Sequence, residues 1–158
     1  MVNDVFDLSG LTALVTGGNG GIGLGMAEAL ANAGADIAIW GTNEEKNAAA
    51  EARLKETGRQ VVAMRCDVGE EDQVVESFAA TVERLGKVDV CIANAGIGRM
   101  SNFVDMELSL WREVTRVNLD GAFLTLREAA RHMVSRGQGG SLIGTASVSA
   151  IDGAPRMQ

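Results

Sequence analysis

The sequence predicts an α/β fold, a doubly wound parallel sheet with helices on both faces. Two observations point there. First, five short apolar, β-prone runs alternate with longer stretches of helical periodicity. Right-handed crossovers make such strands parallel and stack the chain in three layers, α/β/α. Second, Leu11–Gly23 reads LTALVTGGNGGIG, a buried strand, a glycine turn and a helix start in immediate succession. The length of 158 residues fits one domain spanning 1–158. Tyr is absent and aromatics are 4%, so the core must be built mainly from Ala, Val, Ile and Leu.

Residues 1–10 form a lead-in. The first strand is expected over Thr12–Thr16. The first helix is expected over Ile22–Ala33, with Ile22, Met26, Ala29, Leu30 and Ala33 at helical spacing and Gly34 as its stop. The second strand covers Asp36–Trp40. Asn43 then reads as an N-cap, with Glu44 and Glu45 in the first turn of a helix reaching Thr57. The third strand is Val61–Arg65. The third helix covers Glu70–Leu85, with Val74, Val75, Phe78, Val82 and Leu85 on its buried side.

The fourth strand is Val88–Asn94. One long helix is expected over Leu108–Ser135, and Gly121 inside it suggests close packing on a neighbour. Trp40, Trp111 and the methionines read as packing residues. His132 is expected to be exposed or near a helix end. The fifth strand is Ser141–Thr145, and a loop-like tail follows with Gly153 and Pro155. The sheet order is then 3-2-1-4-5. Ligands bind such sheets at the carboxyl ends of strands one and four, where the winding direction switches.

The glycine turn suits a dinucleotide phosphate. Gly17 permits a tight turn, Gly21 leaves no side chain between backbone and anion, and Gly23 lets helix and strand pack closely. The helix N-terminus adds free N–H groups and a positive dipole end. Taken alone, the same stretch also fits a tight strand-to-helix turn with no ligand. Other classes are disfavoured. The net charge of −7 is wrong for a nucleic-acid partner. No apolar run is long enough to span a membrane, and the N-terminus carries acids where a signal peptide carries Lys or Arg. Cys66 and Cys91 give neither a disulfide framework nor a metal-ligand spacing. A cytoplasmic protein is expected.

Five pieces together resemble the N-terminal part of the short-chain dehydrogenase/reductase family, with its Rossmann-type fold. They are Thr16-Gly17-x-x-x-Gly21-x-Gly23, Cys66-Asp67-Val68, Ala93-Asn94-Ala95-Gly96, Val117-Asn118-Leu119, and Thr145-Ala146-Ser147-Val148-Ser149. The resemblance covers essentially the whole chain. It implies an oxidoreductase that passes hydride between NAD or NADP and a small carbonyl or alcohol substrate. It places Gly17, Asn19, Gly21, Ile22 and Gly23 at the phosphates and Thr42 at the end of the second strand. Asp67 would contact the adenine and Val68 lie against its ring, although Asp67 also reads as an acid opening the third helix. Asn94, Ala95 and Gly96 would border the nicotinamide ribose. Ala93 departs from the family, which carries Asn there.

Asn118 would perturb its helix and hold a water in a proton relay, although a buried, backbone-satisfied Asn would look the same in sequence. Ser147 would orient the substrate oxygen, with Ser149 as its neighbour. Gly41 and Thr42 stand where a charged residue often selects NAD or NADP, and Gly20 where some NADP users carry a base. None is charged, so both cofactors stay open. The family's long fourth helix commonly joins subunits, which implies a homodimer or homotetramer. Its acid/base is a Tyr with a Lys four residues later, and the family spacing puts that pair beyond Gln158. The expectation is therefore a C-terminally incomplete NAD(P)-binding domain of a longer enzyme. The alternative is an inactive dinucleotide-binding fragment or pseudoenzyme.

Overall fold

The computed structural model describes residues 4–153 and Arg156. Pro155 and residues 1–3 of the lead-in lie outside them. Five parallel strands form one sheet in the order β3-β2-β1-β4-β5. They are β1 (Thr12–Thr16), β2 (Asp36–Gly41), β3 (Val61–Arg65), β4 (Val90–Ala93) and β5 (Ser141–Gly144). Helices α1 (Gly21–Asn32), α2 (Glu44–Lys55) and α3 (Glu71–Leu85) connect the first four strands. The predicted doubly wound sheet and its order are found.

The sheet is buried on both faces at its centre, as parallel sheets require. Successive side chains alternate between the two layers. Ala13, Val15, Ile37 and Ile39 pack with Ala27 and Ala31 of α1 and with Ala50 and Leu54 of α2. Leu14, Ala38, Trp40 and Cys91 pack with Val74 and Phe78 of α3. Trp40 is fully buried, and its indole N–H donates to Thr81 Oγ1 at 3.1 Å. Cys66 and Cys91 are both buried free thiols.

Several local expectations are corrected. The stretch read as one long helix is α4 (Leu108–Thr115), a π turn (Arg116–Asp120) and α5 (Gly121–Arg136). Helix α1 buries Gly23, Ala27 and Ala31, while Ile22 is 71% exposed. Its fully buried face is made of small residues because helix and strand approach closely there; Met26 and Leu30 pack against the edge of that core, and Ile22 alone of the larger predicted residues points away. Val75 is exposed for a similar reason of phase: α3 buries Val74, Ser77, Phe78 and Thr81.

Strand β4 is shorter than predicted at both ends. The Val88 N–H donates to His132 Nε2 at 3.2 Å, and the Asn94 N–H donates to Thr16 Oγ1 at 3.0 Å. Both groups thus leave the strand ladder for side chains. His132 lies near the C-terminal end of α5, as one of the two expectations had it, but is half-buried and packs edge-on against Phe78 rather than standing exposed. Trp111 is not a core residue but an exposed one. All four residues of β5 are exposed, as expected for an edge strand with little helical cover.

Candidate functional site

The carboxyl ends of β1 and β4 are tied together by Thr16. Its hydroxyl oxygen accepts the N–H groups of Asn94 and Ala95, each at 3.0 Å. The Asn94 amide returns a hydrogen bond to the Thr16 carbonyl, also 3.0 Å. The chain then turns through Gly17, whose φ is +65° and whose N–H donates to the Trp40 carbonyl at 2.7 Å. A side chain at Gly23 would fall on the Gly17 carbonyl and 2.5 Å from Asn94 Nδ2. Gly23 therefore does what the spacing suggested: it lets α1 start against the strand ends.

Gly21 has φ +51° and open space where a side chain would stand. Its glycine is required by backbone conformation, and the open space leaves the backbone approachable. The N-terminus of α1 has no side-chain cap and no acid in its first turn. Helix α2, by contrast, is capped by Asn43, whose Oδ1 accepts the Lys46 N–H at 2.8 Å. The first N–H groups of α1 have no acceptor within the helix. This uncapped end, with Gly21 beside it, fits an anion such as a pyrophosphate.

In front of it lies an open cavity of about 360 Å³. Gly17, Asn19, Thr42, Asp67, Val68, Ala95 and Gly96 line it, all of them predicted site residues. Gly41, Asn43 and Lys46 complete the wall at the end of β2, which carries one cation and no carboxylate. The Asn19 amide donates to Asn47 Oδ1 at 2.7 Å. The buried Asn47 amide in turn donates to the Gly41 and Met64 carbonyls at 2.9 and 3.0 Å. Asn47 thus couples the glycine turn to the ends of β2 and β3.

Beyond β3, Asp67 Oδ1 accepts the Gly69 N–H at 2.9 Å. Its Oδ2 accepts from Arg116 Nη2 at 3.0 Å. Burial works against ionisation of Asp67, but the Arg116 hydrogen bond, the Gly69 N–H and the charges of Arg116 and Arg65 outweigh it. They hold the carboxyl below its ordinary value. A side chain at Gly121 would lie 2.6 Å from Val68 Cγ2, so the close packing expected at Gly121 is found, and Val68 is the neighbour.

Asn118 sits in the π turn. Its Oδ1 accepts the Ile97 N–H at 2.8 Å, and its Nδ2 donates to the Ile97 carbonyl at 2.9 Å. A helix that admits one extra residue per turn at a polar side chain is a frequent functional feature. Ile97 lines the main cavity, and Asn118 lines a second one of about 230 Å³ formed with Met106, Leu110, Trp111 and Val114.

The structure thus gathers seven predicted residues around one cavity, with Asn94 behind it and Gly23 packed against Gly17. Gly21 and Ile22 lie with Gly23 on the first turn of α1. Ser147 lies apart from the cavity wall, in the exposed segment after β5. It caps the short helix Val148–Ala150, accepting the Ser149 N–H at 3.2 Å. The sequence reading missed Lys46, Asn47 and Arg116. The side-chain partners of Asn47 and Arg116 lie 6 to 49 residues away, and no local pattern carries such pairings.

Comparison with known proteins agrees with this geometry. The family described as short chain dehydrogenase matches residues 11–158. An L-rhamnose 1-dehydrogenase (NAD(P)(+)) of Sphingomonas sp. is 37% identical over 147 residues, covering 92% of this chain and 58% of its own. A sorbose reductase of Schizosaccharomyces pombe is 40% identical over 94% of this chain and 59% of its own. A short-chain type dehydrogenase/reductase from Mycobacterium marinum superposes with a TM-score of 0.94 at 36% identity, covering 98% of this chain and 64% of its own. An NAD+-bound xylitol dehydrogenase superposes with a TM-score of 0.90 at 34% identity, covering 94% of this chain and 57% of its own. The chain thus spans under two thirds of the length of these relatives.

Proposed function

The chain belongs to the short-chain dehydrogenase family, and on that premise we propose that it is the cofactor-binding part of an NAD- or NADP-dependent oxidoreductase acting on a small carbonyl or alcohol. The observation that carries this reading is the cavity along the ends of β1, β2, β3 and β4, opening beside an uncapped α1. The Gly17–Gly23 turn would hold the pyrophosphate, with Asn19 and Ile22 beside it. Thr42 would face the adenosine ribose. Asp67 and Val68 would take the adenine, and Asn94, Ala95 and Gly96 the nicotinamide end. The bound nicotinamide supplies or accepts the hydride.

The other steps fall to the protein. Ser147 would hold the substrate oxygen, and Asn118 would hold a water in the proton path. The 158 residues contain no Tyr. In this reading the Tyr and Lys of the family lie beyond Gln158. A second reading is a dinucleotide binder without turnover.

Titration with NAD, NADP and their reduced forms tests cofactor binding. Reduced cofactor consumption against a panel of ketoses, sugar acids and other carbonyls then separates enzyme from binder. Binding with turnover supports the first reading, and binding without turnover in the full natural chain supports the second. Binding of neither cofactor overturns both.

A homodimer or homotetramer through α4 and α5 fits the exposed Leu108, Trp111, Leu119 and Phe123 on and beside those helices. Light scattering on the purified protein tests it. No helix among the described residues is long and apolar enough to cross a membrane. A cytoplasmic location fits the two buried free thiols.

A further inference from the structure

We infer that Arg116 is a positioning residue: it fixes the Asp67 carboxylate for the adenine and locks that end of the site to the turn that carries Asn118. The inference rests on the dinucleotide reading above. Arg116 opens the π turn and reaches across to the loop after β3. One guanidinium nitrogen donates to Asp67 Oδ2 at 3.0 Å, the other to Glu70 Oε1 at 2.8 Å. The guanidinium lies against Gly69, where any side chain would collide with it. At the far end of the turn Gly121 packs on Val68. Loop and turn are therefore joined at both ends, and Asn118 lies between them, anchored on Ile97.

The clamp is placed for geometry rather than for stability. Arg116, Asp67 and Glu70 side chains are 36%, 28% and 55% exposed, and ion pairs that wet contribute little to folding. Arg116 nevertheless lines the cavity beside Asp67 and Val68. With Gly69 on one oxygen and Arg116 on the other, the Asp67 carboxylate has one orientation, and each oxygen keeps a further lone pair for a donor such as the exocyclic amine of adenine. A lysine cannot reproduce the two-nitrogen fork.

The test compares affinities in the full natural chain for the preferred dinucleotide and for its hypoxanthine counterpart. The counterpart replaces the amine donor by a carbonyl acceptor. Unaltered protein should favour adenine by about tenfold or more, the usual size for a hydrogen bond to a charged group. Arg116→Met should reduce that ratio to about twofold or less, the Asp67 orientation being lost, and Arg116→Lys should fall between. Asp67→Asn should reproduce the Arg116→Met ratio. A merely structural role would weaken both ligands together and leave the ratio intact. An unchanged ratio in Arg116→Met, or in Arg116→Lys if the methionine variant does not fold, overturns the inference. So does an unaltered protein that binds both ligands equally. Failure of the unaltered protein to bind either ligand instead removes the dinucleotide reading and this inference with it.

Discussion

A single methyl group at Gly23 would meet the Gly17 carbonyl, which is backbone, and the Asn94 amide, which is hydrogen-bonded to the Thr16 carbonyl. Both belong to the junction that Thr16 ties together, so strain there reaches the candidate phosphate site. Gly23→Ala is expected to cost about 1–3 kcal/mol by overpacking. It should also weaken dinucleotide binding by about tenfold, the equivalent of ~1.4 kcal/mol. Gly25, two residues on, is the control. It is exposed on the same helix with open space beside it. Gly25→Ala should stabilise by about 0.5–1 kcal/mol through backbone entropy and leave binding unchanged. Urea unfolding midpoints and cofactor titrations check both. A Gly23→Ala protein that binds normally would sink the argument that this glycine sets the cradle.

The π turn is where a single element would control chemistry in the proposed enzyme. Its Asn118 holds Ile97 through both ends of the amide, while Ile97 lines the cavity. Asn118→Ala should leave the dinucleotide dissociation constant within about threefold, because the proposed phosphate and adenine contacts lie elsewhere. It should lower kcat by about 10²-fold, the usual scale of a lost proton-transfer group. Steady-state kinetics beside direct binding separates the two, and equal losses in both would remove Asn118 from the relay.

The turn also marks a limit of sequence reading. Asn118 and Gly121 stood out, and the expected perturbation of the helix at Asn118 is the π turn, but Ile97 and Val68, which hold that turn, are remote in sequence and could not be named. The strands were legible because β1 is an unbroken β-branched and apolar run buried at the centre of the sheet, and the edge strand β3 opens on two β-branched valines. The buried face of α1 was not, since Gly23, Ala27 and Ala31 carry too little side chain to mark it by hydrophobicity. The tight glycine turn into α1 was readable from glycine spacing. The Asn19–Asn47 and Asp67–Arg116 couplings were not, because they exist only after folding.

At the scale of the whole molecule, acid stability rests on side chains that bridge layers of the fold. His132 of α5 accepts the Val88 N–H just before β4. Burial and the Arg136 charge lower its pKa below the ordinary 6.5, and Asp89 opposes them more weakly. Charging it therefore costs the folded state more than the unfolded chain. Its contribution is complete above pH 6.5 and is lost as pH falls through the lowered folded value. Asp89 joins β4 to β1 and α5 by accepting from the Thr12 N–H and pairing with Lys87 and Arg136. Burial raises its pKa, but those hydrogen bonds and charges hold it below 3.8. Asp67 behaves alike on its own loop. The contributions of both acids persist above pH 3.8 and disappear as pH falls through their lowered values.

Unfolding free energy should accordingly fall in two steps on acidification, one just below pH 6.5 and one below 3.8. His132→Gln keeps a neutral acceptor within reach of Val88 and should erase the first step alone. Asp89→Asn should shrink the second and lower stability at neutral pH, where the Lys87 and Arg136 charges lose their partner. Urea titrations at a series of pH values read both. If the first step survives in His132→Gln, the α5–β4 bridge is not its origin.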